Sequence, residues 1–447
     1  MITPFHWQRP AIDQLERALL THGAAINASD TGTGKTVMAL DICRRHNWRP
    51  AVLCPKVAIE GWRRTCKAMG LEPFFIDTYE KAATGNAPWL SRVGGKMVKN
   101  PETGKQKRQK VFYRWHLPED TLTIFDEVHK CKEHSSLFSA LHLAHSAQGI
   151  ASLNLSATVA DNPLNMKAIG VALKLFEPRE FIRWALINGV TPKFWGGYEF
   201  LDRMAEQHIP IIHSRIFPER GARIRIKDVP SFPETQIIAE CHDVMSKSLP
   251  KDLDGLVKEY SSRAEAVLTD GKTMLEFGLR LRQATETAKL QTLLDLHNEY
   301  RENGMSVILF VSFSHSLEWL KECIKDAAVI HGGQSQAERE AEVARFQSNA
   351  SRTCIANIAA GGVGVDLDDR DGRFPRVSLI CPTYNARELK QALGRPHRAT
   401  SKSKSLQRII YAAGTIEEDI CAAVSAKLDR LDLLNDGVIL NAIFKNQ

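Results

Sequence analysis

A glycine-rich stretch, SDTGTGKT at residues 29–36, carries residue types that can hold a phosphate group. Gly32 and Gly34 allow a tight turn in which backbone N–H groups point inward, and the helix that follows adds its positive amino end. Lys35 can reach the β and γ phosphates of a nucleotide, and the Thr36 hydroxyl can bind Mg²⁺. The stretch therefore predicts a nucleotide-phosphate loop. The alternative is a glycine-rich turn with a surface lysine.

A second candidate site is the acidic pair in TIFDEVHK, residues 123–130. Asp126 can hold Mg²⁺, and Glu127 can polarise an attacking water. Both carboxylates stand at the end of an apolar strand, a position that suits a nucleotide site. A solvated acidic turn is the alternative. The position of the pair, about ninety residues after the Lys-Thr loop, favours the nucleotide site.

Apolar segments of strand length must position these residues. In the first part of the chain they are PAVLCP, PFFIDTY, LTIFDE and IASLNLSAT, and from residue 306 they are SVILFVSF, AAVIHGG, TCIANI, RVSLICP and LQRIIYAAG. Helical patterns separate them, which predicts parallel sheets covered by helices. We predict an α/β protein with two parallel-sheet lobes: lobe 1 over residues 1–165, a helical connector over 166–300, and lobe 2 over 301–447.

The composition narrows the class of protein. The chain has 447 residues, of which 43% are hydrophobic and 25% charged, and no apolar run reaches the length of about eighteen residues that a membrane span needs. The amino-terminal MITPFHWQRP does not resemble a signal peptide. Nine cysteines without a C-x-x-C pair argue against a disulfide framework or zinc site and favour a reducing cytosol. The net charge of +7 is compatible with an acidic partner such as nucleic acid.

Taken together, these motifs resemble those of the superfamily 2 helicases and translocases, which consist of two RecA-like lobes. FHWQRP resembles the motif that precedes the phosphate loop, with Gln8 in the adenine-reading position. AVLCPKVAIEGWRR and IDTYEKA resemble the next two motifs, of which the first touches nucleic acid. The acidic pair and LSAT (155–158) follow. NIAAGGVGVDL (357–367) and QALGRPHRAT (391–400) resemble the fifth and sixth motifs.

Within the superfamily, the chain is most similar to the Swi/Snf-type DNA translocases, in a minimal prokaryotic or viral form. CPKVAIEGWRR, LRQATETAKLQTLLDL and GTIEEDICAAVSAKLDRLDLL carry this likeness. The resemblance implies ATP and Mg²⁺ as cofactors and a set of contact residues. The implied ATP contacts are Gln8, Ser29, Asp30, Thr31, Gly32, Thr33, Gly34, Lys35 and Thr36; the Mg²⁺ contacts are Thr36 and Asp126; the nucleic-acid contacts include Pro55, Lys56 and Trp62.

The sixth motif implies that the second lobe contributes to hydrolysis. Gln391, Arg395 and Arg398 match the family spacing, and with Glu127 they form the predicted catalytic set. Because Arg395 and Arg398 lie three residues apart, on a helix they would share one face and both could point toward the γ-phosphate. A basic helix surface is the alternative.

A basic segment interrupts the first lobe at residues 94–115. It carries Lys105, Lys107, Arg108 and Lys110 among other cations, and NPETG at its centre predicts a β-hairpin. Such a hairpin could grip phosphates or wedge a duplex junction. A solvated basic loop is an equally weighted alternative.

Three functions follow from the sequence. The first is an ATP-dependent translocase on double-stranded or forked DNA that does not unwind it. The second is a strand-separating DNA or RNA helicase, and the third is a motor subunit of a restriction-type complex. We expect a cytoplasmic protein, in a prokaryotic cell or virus-encoded in a host cell, with no membrane contact and a possible protein partner in replication, repair or defence.

Overall fold

The structure is a computed structural model. It describes residues 2–94, 97–99, 106–108, 111–133, 136–160, 162–229, 232–242, 271–361 and 365–436. The chain divides into two compact units. Unit 1 comprises Met1–Pro230 with Asp429–Leu440, and unit 2 comprises Ser231–Leu428 with Asn441–Gln447.

Unit 1 alternates strands and helices along most of its length. Its strands are β1 (Ala24–Asn27), β2 (Arg49–Cys54), β3 (Phe75–Thr78), β4 (Asn86–Ala87), β5 (Leu90–Val93), β6 (Met97–Lys99), β7 (Gln106–Arg108), β8 (Phe112–Trp115), β9 (Thr121–Asp126), β10 (Ser152–Leu155), β11 (Val190–Pro192), β12 (Tyr198–Phe200) and β13 (Gly221–Ala222). Its helices are α1 (Arg9–His22), α2 (Lys35–Arg45), α3 (Ile59–Met69), α4 (Tyr79–Thr84), α5 (Leu137–Ala147), α6 (Lys167–Ala172), α7 (Phe181–Ile187) and α8 (Ala205–Ile216).

Six of the described strands form one parallel sheet in the order β13-β1-β10-β9-β2-β3. In this sheet Asn27 pairs with Leu155, and Leu155 pairs with Asp126. Because the three strands are parallel and end in register, the segments that follow them leave the sheet at the same edge. The phosphate loop, the acidic pair and LSAT are therefore neighbours.

Both faces of this sheet are buried, which explains why its strands are mostly apolar. Ala25, Val52 and Ile124 pack on one face with α1, α2 and α3. Leu53 and Phe125, which point the other way along the same strands, belong to a second cluster on the opposite face. The sheet is thus a rigid layer between two cores, and the loops at its edge are supported from both sides.

The basic segment contains antiparallel strands. In β6 and β7, Met97 pairs with Arg108, and in β5 and β8, Leu90 pairs with Trp115. Lys107 and Arg108 lie in β7. Lys105 and Lys110 lie outside the described residues.

Unit 2 has the same type of architecture. Its strands are β14 (Thr235–His242), β15 (Ser306–Val311), β16 (Ala328–Ile330), β17 (Thr353–Asn357), β18 (Arg376–Ile380) and β19 (Ser405–Ala412). Its helices are α9 (Gly271–Ala288), α10 (Leu290–Glu302), α11 (Ser314–Cys323), α12 (Gln336–Gln347), α13 (Ile358–Gly361) and α14 (Ala386–Leu393), followed by α15 (Ile416–Asp436), whose last residues belong to unit 1. Within the described residues, the strands form a parallel sheet in the order β14-β19-β18-β15-β17-β16.

Two parallel α/β lobes confirm the predicted fold class. The compact units nevertheless divide the chain at residue 230, inside the segment that the sequence set apart as a connector. That segment supplies an edge strand to each sheet: β13 to unit 1 and β14 to unit 2. The two-residue β13 is too short to produce a periodic pattern, so nothing local in the sequence marked it as a strand.

Two further features bear on the class of protein. Within the part of the chain that the structure describes, no helix combines the length and the apolar character that crossing a bilayer requires. All nine cysteines are free thiols, and most of them are buried.

Candidate functional site

The phosphate loop joins β1 to α2 and has the geometry that its glycines predict. Gly34 caps α2 in the left-handed conformation with φ +79°, and Gly32 has φ +92°. The Lys35 ammonium donates to the carbonyl oxygens of Ser29 at 2.9 Å and Asp30 at 3.2 Å. The loop is therefore wrapped around the lysine that the sequence assigned to the phosphates.

Gln8 packs directly on this loop. Its side chain is buried, its Nε2 donates to the Thr33 carbonyl at 2.7 Å, and its Oε1 accepts from the Phe5 N–H at 2.8 Å. A Cβ on Gly34 would lie 2.6 Å from this Nε2 and would displace the Gln8 amide, and the φ of +79° independently favours glycine at position 34. The predicted adenine-reading residue is thus fixed to the predicted phosphate loop.

The remaining predicted ATP contacts lie in the same loop or at the start of α2. The Thr33 hydroxyl donates to the Asp30 carbonyl at 2.7 Å. Thr31 is half-buried, and so is Thr36 in the first turn of α2. The structure therefore brings together every residue that the sequence assigned to ATP.

A backbone segment after β13 runs along the loop and explains two of its residues. The Ile224 N–H donates to the Ser29 hydroxyl at 3.0 Å, and the Ile226 N–H donates to an Asp30 carboxylate oxygen at 3.0 Å. Ser29, which stands where the usual pattern has its first glycine, thus fastens the loop to this segment. Sequence reasoning did not find that contact.

Arg223 of the same segment is a charged support that the sequence analysis missed. It lies 3.0 Å from the Asp30 carboxylate and binds both oxygens of Asp436, the last residue of α15, at 2.9 Å each. Burial alone would lower the pKa of Arg223, but the two carboxylates outweigh that effect and raise it. The arginine therefore stays charged and ties the phosphate loop to the end of the described chain.

The acidic pair begins at the end of β9. Asp126 is half-buried, and its Oδ2 accepts from the Trp62 indole N–H at 2.8 Å. Burial, with a further contribution from the Glu127 charge, raises the pKa of Asp126 to about 6, although the Trp62 hydrogen bond and the Lys35 charge oppose the rise. A carboxylate with a raised pKa lacks a full counter-charge, and a bound cation would supply one.

Glu127, the second residue of the acidic pair, is linked through His129 to Ser156 of LSAT. Its backbone has φ +53°, and its Oε2 lies 3.1 Å from His129 Nδ1, which is also 3.1 Å from the Ser156 hydroxyl oxygen. Ser156 in turn accepts from the Thr158 N–H at 3.1 Å. The Asn435 amide donates to the Ala157 carbonyl at 2.9 Å. These contacts of His129 and Asn435 were not predicted, because Ser156 is 27 residues from His129 in sequence and Ala157 is 278 residues from Asn435.

The residues assigned to nucleic acid do not share one environment. Lys56 is exposed, whereas Pro55 and Trp62 are buried. Trp62 has only 2% of its surface exposed and supports Asp126 through its hydrogen bond. In this structure Trp62 lies in the core of unit 1 instead of at a nucleic-acid surface, because α3 turns its apolar face to the sheet.

The sixth-motif arginines lie beyond the end of their helix. α14 ends at Leu393, so the prediction that Arg395 and Arg398 share a helical face is wrong. Gly394 follows the helix, and Pro396 cannot continue it. Gln391 is within α14 and is buried.

Both arginines are held by groups of unit 2. Arg395 donates to the Val365 carbonyl at 3.0 Å, and Arg398 Nε donates to an Asp366 carboxylate oxygen at 2.9 Å. Burial would raise the pKa of Asp366, but the charges of Arg398 and Arg395 outweigh it and lower the pKa. The sixth motif thus closes onto the end of the fifth motif.

Comparison with known proteins identifies relatives of the whole chain and of its second half. Residues 288–400 match the family described as helicase conserved C-terminal domain. The putative ATP-dependent RNA helicase L364 of Acanthamoeba polyphaga mimivirus is 31% identical over 461 aligned positions, which cover 97% of this chain and 84% of the viral protein.

Other relatives are longer proteins. An uncharacterized ATP-dependent helicase of Mycoplasma pneumoniae is 24% identical over 55% of this chain, and the CHD3-type chromatin-remodeling factor CHR7 of Arabidopsis thaliana is 25% identical over 69% of it. The chain spans only 25% and 26% of their respective lengths. The solved Sulfolobus solfataricus SWI2/SNF2 ATPase core in complex with dsDNA aligns over 98% of this chain and 94% of its own. The two chains are 14% identical in sequence, and their superposition has a TM-score of 0.36.

Proposed function

Because this chain belongs to the ATP-dependent helicases of superfamily 2, we propose that it couples ATP hydrolysis to movement along double-stranded or forked DNA. ATP use and a dependence on nucleic acid follow from the family. The choice of DNA, and of movement without strand separation, rests on the Swi/Snf-type motifs and is the part that needs a test.

The observation that carries the proposal is the register of β1, β10 and β9. It places the ends of the three strands side by side, so Lys35, the acidic pair and Ser156 emerge at one edge of a rigid sheet. Lys35 and Asp126 also interact through their charges, since Lys35 acts to lower the pKa of Asp126. Phosphate binding and water activation thus have their groups in one place.

We assign roles within this site from chemistry. Lys35 and the N–H groups around Gly32 and Gly34 bind phosphates, and Gln8 contacts adenine. Thr36 and Asp126 would hold Mg²⁺, which would offset the charge of the triphosphate. Glu127 orients the attacking water, and His129, 3.1 Å away, fixes the position of its carboxylate.

Nucleic acid would contact cations of other segments. Lys56 is exposed at the start of the segment that follows β2, and β7 carries Lys107 and Arg108. Lys105 and Lys110 extend the same basic sequence. Contacts of this kind bind the phosphate backbone regardless of sequence, as a motor requires. Arg395 and Arg398 would stabilise the transition state of hydrolysis once released from the Val365 carbonyl and the Asp366 carboxylate, respectively.

The competing function is strand separation on RNA or DNA, and one observation favours it. The mimivirus relative, which covers nearly all of this chain, is named a putative RNA helicase. A motor subunit that works only with a protein partner is the third possibility. The nine free cysteines are compatible with action in a reducing cytoplasm.

One assay distinguishes these functions. The rate of ATP hydrolysis is measured with single-stranded DNA, duplex DNA, forked DNA and RNA at one salt concentration. We expect the strongest stimulation by duplex or forked DNA, with no release of a labelled strand. Stimulation chiefly by single strands or RNA, with strand release, would replace the translocase proposal with a helicase. Negligible hydrolysis with every nucleic acid would favour the partner-dependent subunit.

A further inference from the structure

A β-hairpin of unit 1 presents two aromatic rings to solvent. β11 and β12 pair antiparallel, from Val190 opposite Phe200 to Pro192 opposite Tyr198. Between them, Phe194 and Trp195 are 90% and 93% exposed, whereas the next most exposed large apolar residue among those described, Val93, is 66% exposed. The loop between β11 and β12 is hereafter the aromatic tip, residues 193–197.

The base of this hairpin is fixed in the core. Val190 is buried in the same apolar cluster as Trp184, and Phe200 packs against that cluster. Just before β11, Gly189 has φ +85°, and a Cβ there would lie 2.6 Å from the His208 ring. The aromatic tip is therefore carried by an anchored support.

The tip itself has an ordered backbone. The Lys193 N–H donates to the Gly197 carbonyl at 3.0 Å, and the Gly196 N–H donates to the Lys193 carbonyl at 3.1 Å. Gly196 and Gly197 have φ of +94° and +85°, a conformation that other residues rarely adopt. The two rings contact each other edge to face, with centroids 4.8 Å apart and planes at 88°. Their outward position thus follows from a defined turn.

Exposure of two large rings leaves unused the free energy that burial of their apolar surface would release. A ligand with flat apolar faces would recover it, and a nucleobase has such faces. Lys193 places a positive charge next to the rings, and its ammonium lies 3.8 Å from the Glu199 carboxylate of β12. We propose that Phe194 and Trp195 stack against the unpaired bases that forked DNA, one of the two proposed substrates of the motor, presents at its single-stranded arms. This inference rests on the proposed function.

The size of the tip favours bases over a protein partner. A stable protein interface buries about 800 Å² on each side, which is more than two rings on a two-stranded ribbon can offer. Ile182, Leu186 and Ile187 of α7 are also exposed and would enlarge an interface with a protein. They have no flat face for a base. A change of Ile187 should therefore weaken the binding of a protein partner but not the stacking of a nucleobase.

The experiment compares two single-stranded DNA oligonucleotides of equal length and charge, one with normal bases and one with abasic residues at its centre. Affinity is measured for the full chain and for variants with both rings changed. Phe194→Leu with Trp195→Leu keeps the tip apolar but removes the ring faces. Phe194→Tyr with Trp195→Tyr keeps an aromatic ring face at both positions. Because the rings are exposed, both pairs should unfold at the same temperature as the unchanged protein.

We expect the unchanged protein and the tyrosine pair to prefer the oligonucleotide with bases. The leucine pair should bind it about 5- to 150-fold more weakly, which corresponds to one stacked base, and should lose the preference. Ile187→Ala should leave both affinities unchanged. A leucine pair that keeps the preference would overturn the proposal, and so would an equal loss in Ile187→Ala, which would indicate a broad apolar interface.

The same measurements separate this inference from the proposed function. The salt dependence of binding to the abasic oligonucleotide reports its phosphate contacts. If it persists while no variant alters base preference, the motor proposal survives and the role of the aromatic tip is wrong. If the unchanged protein binds neither oligonucleotide and no nucleic acid stimulates hydrolysis, both proposals fail.

Discussion

Lys35 of unit 1 and Arg398 of unit 2 are both predicted to meet the same nucleotide, yet the structure holds them in different ways. Lys35 donates to two carbonyl oxygens of its own loop, at 2.9 and 3.2 Å. Arg398 is paired with the Asp366 carboxylate at 2.9 Å. A phosphate can replace a neutral acceptor more easily than it can replace a full negative charge. In the proposed function, Lys35 would exchange carbonyl oxygens for phosphate, whereas Arg398 would have to exchange the Asp366 carboxylate.

The largest effect is expected at Lys35. Lys35→Ala removes the phosphate contact without removing core packing, so nucleic-acid-stimulated ATP hydrolysis should be abolished while the unfolding temperature is retained. Lys67→Ala, which removes an exposed lysine of α3, is the matched control and should hydrolyse ATP normally. Unchanged turnover in Lys35→Ala would contradict the assignment of the loop.

Glu127→Gln should separate binding from chemistry at the same edge of the sheet. The amide keeps the size of the side chain but cannot accept a proton, so the variant should bind ATP and fail to turn it over. Equilibrium binding of a fluorescent ATP analogue, together with single-turnover hydrolysis, provides the measurement. Turnover like that of the unchanged protein would remove Glu127 from the catalytic set.

The arginines of unit 2 provide the next effect. Arg398→Ala and Arg395→Ala should retain ATP binding yet lose kcat by a factor on the order of a thousand, as for other arginines that stabilise a transferring phosphoryl group. Gln391→Ala should cost less.

Asp366→Asn sharpens the comparison of the two units. It disrupts the ion pair with Arg398 but leaves the arginine in place, so its kcat should exceed that of Arg398→Ala. Equal losses in the two variants would mean that Arg398 serves only the fold of unit 2. Normal hydrolysis in both arginine variants would exclude any contact between the sixth motif and the nucleotide.

A smaller effect, on stability, is expected at Asp436. Asp436→Asn weakens a buried ion pair with Arg223, and breaking such a pair costs about 3–5 kcal/mol. Asp30 still faces Arg223, so we expect the lower end of that range, read from urea unfolding. Asp202→Asn is the matched control, because Asp202 pairs with Arg430 but is 68% exposed and should change stability by less than about 1 kcal/mol. Similar losses in both would argue against the support role of Arg223.

The smallest effect concerns the basic segment. Changing Lys105, Lys107, Arg108 and Lys110 to Gln should weaken nucleic-acid binding and flatten its salt dependence by about 0.7–0.9 log units for each lost phosphate contact. Affinity measured across a range of salt concentrations tests this. An unaltered slope would favour the solvated loop over the phosphate grip.

The arginine pair shows where sequence reasoning failed. A spacing of three residues suggested a shared helical face, but Gly394 and Pro396 stand within the same stretch, and the helix ends at Leu393. Proline both lacks the N–H and clashes with the preceding turn, so this local signal outweighs the periodicity. The aromatic tip was not predicted. Its sequence is Phe-Trp followed by Gly-Gly, but residue types alone do not show that the two rings are 90% and 93% exposed.

The sequence by itself determined the phosphate loop, the strands that carry the catalytic candidates and the two-lobe α/β class. These features depend on glycine conformation and on apolar periodicity, which act over a few neighbouring residues. Only the tertiary structure decided which distant groups support the loop. Arg223 and Asp436 are separated by 213 residues, and Asn435 reaches Ala157 across 278. Such contacts leave no local pattern, because they depend on how the packed sheet brings remote segments together.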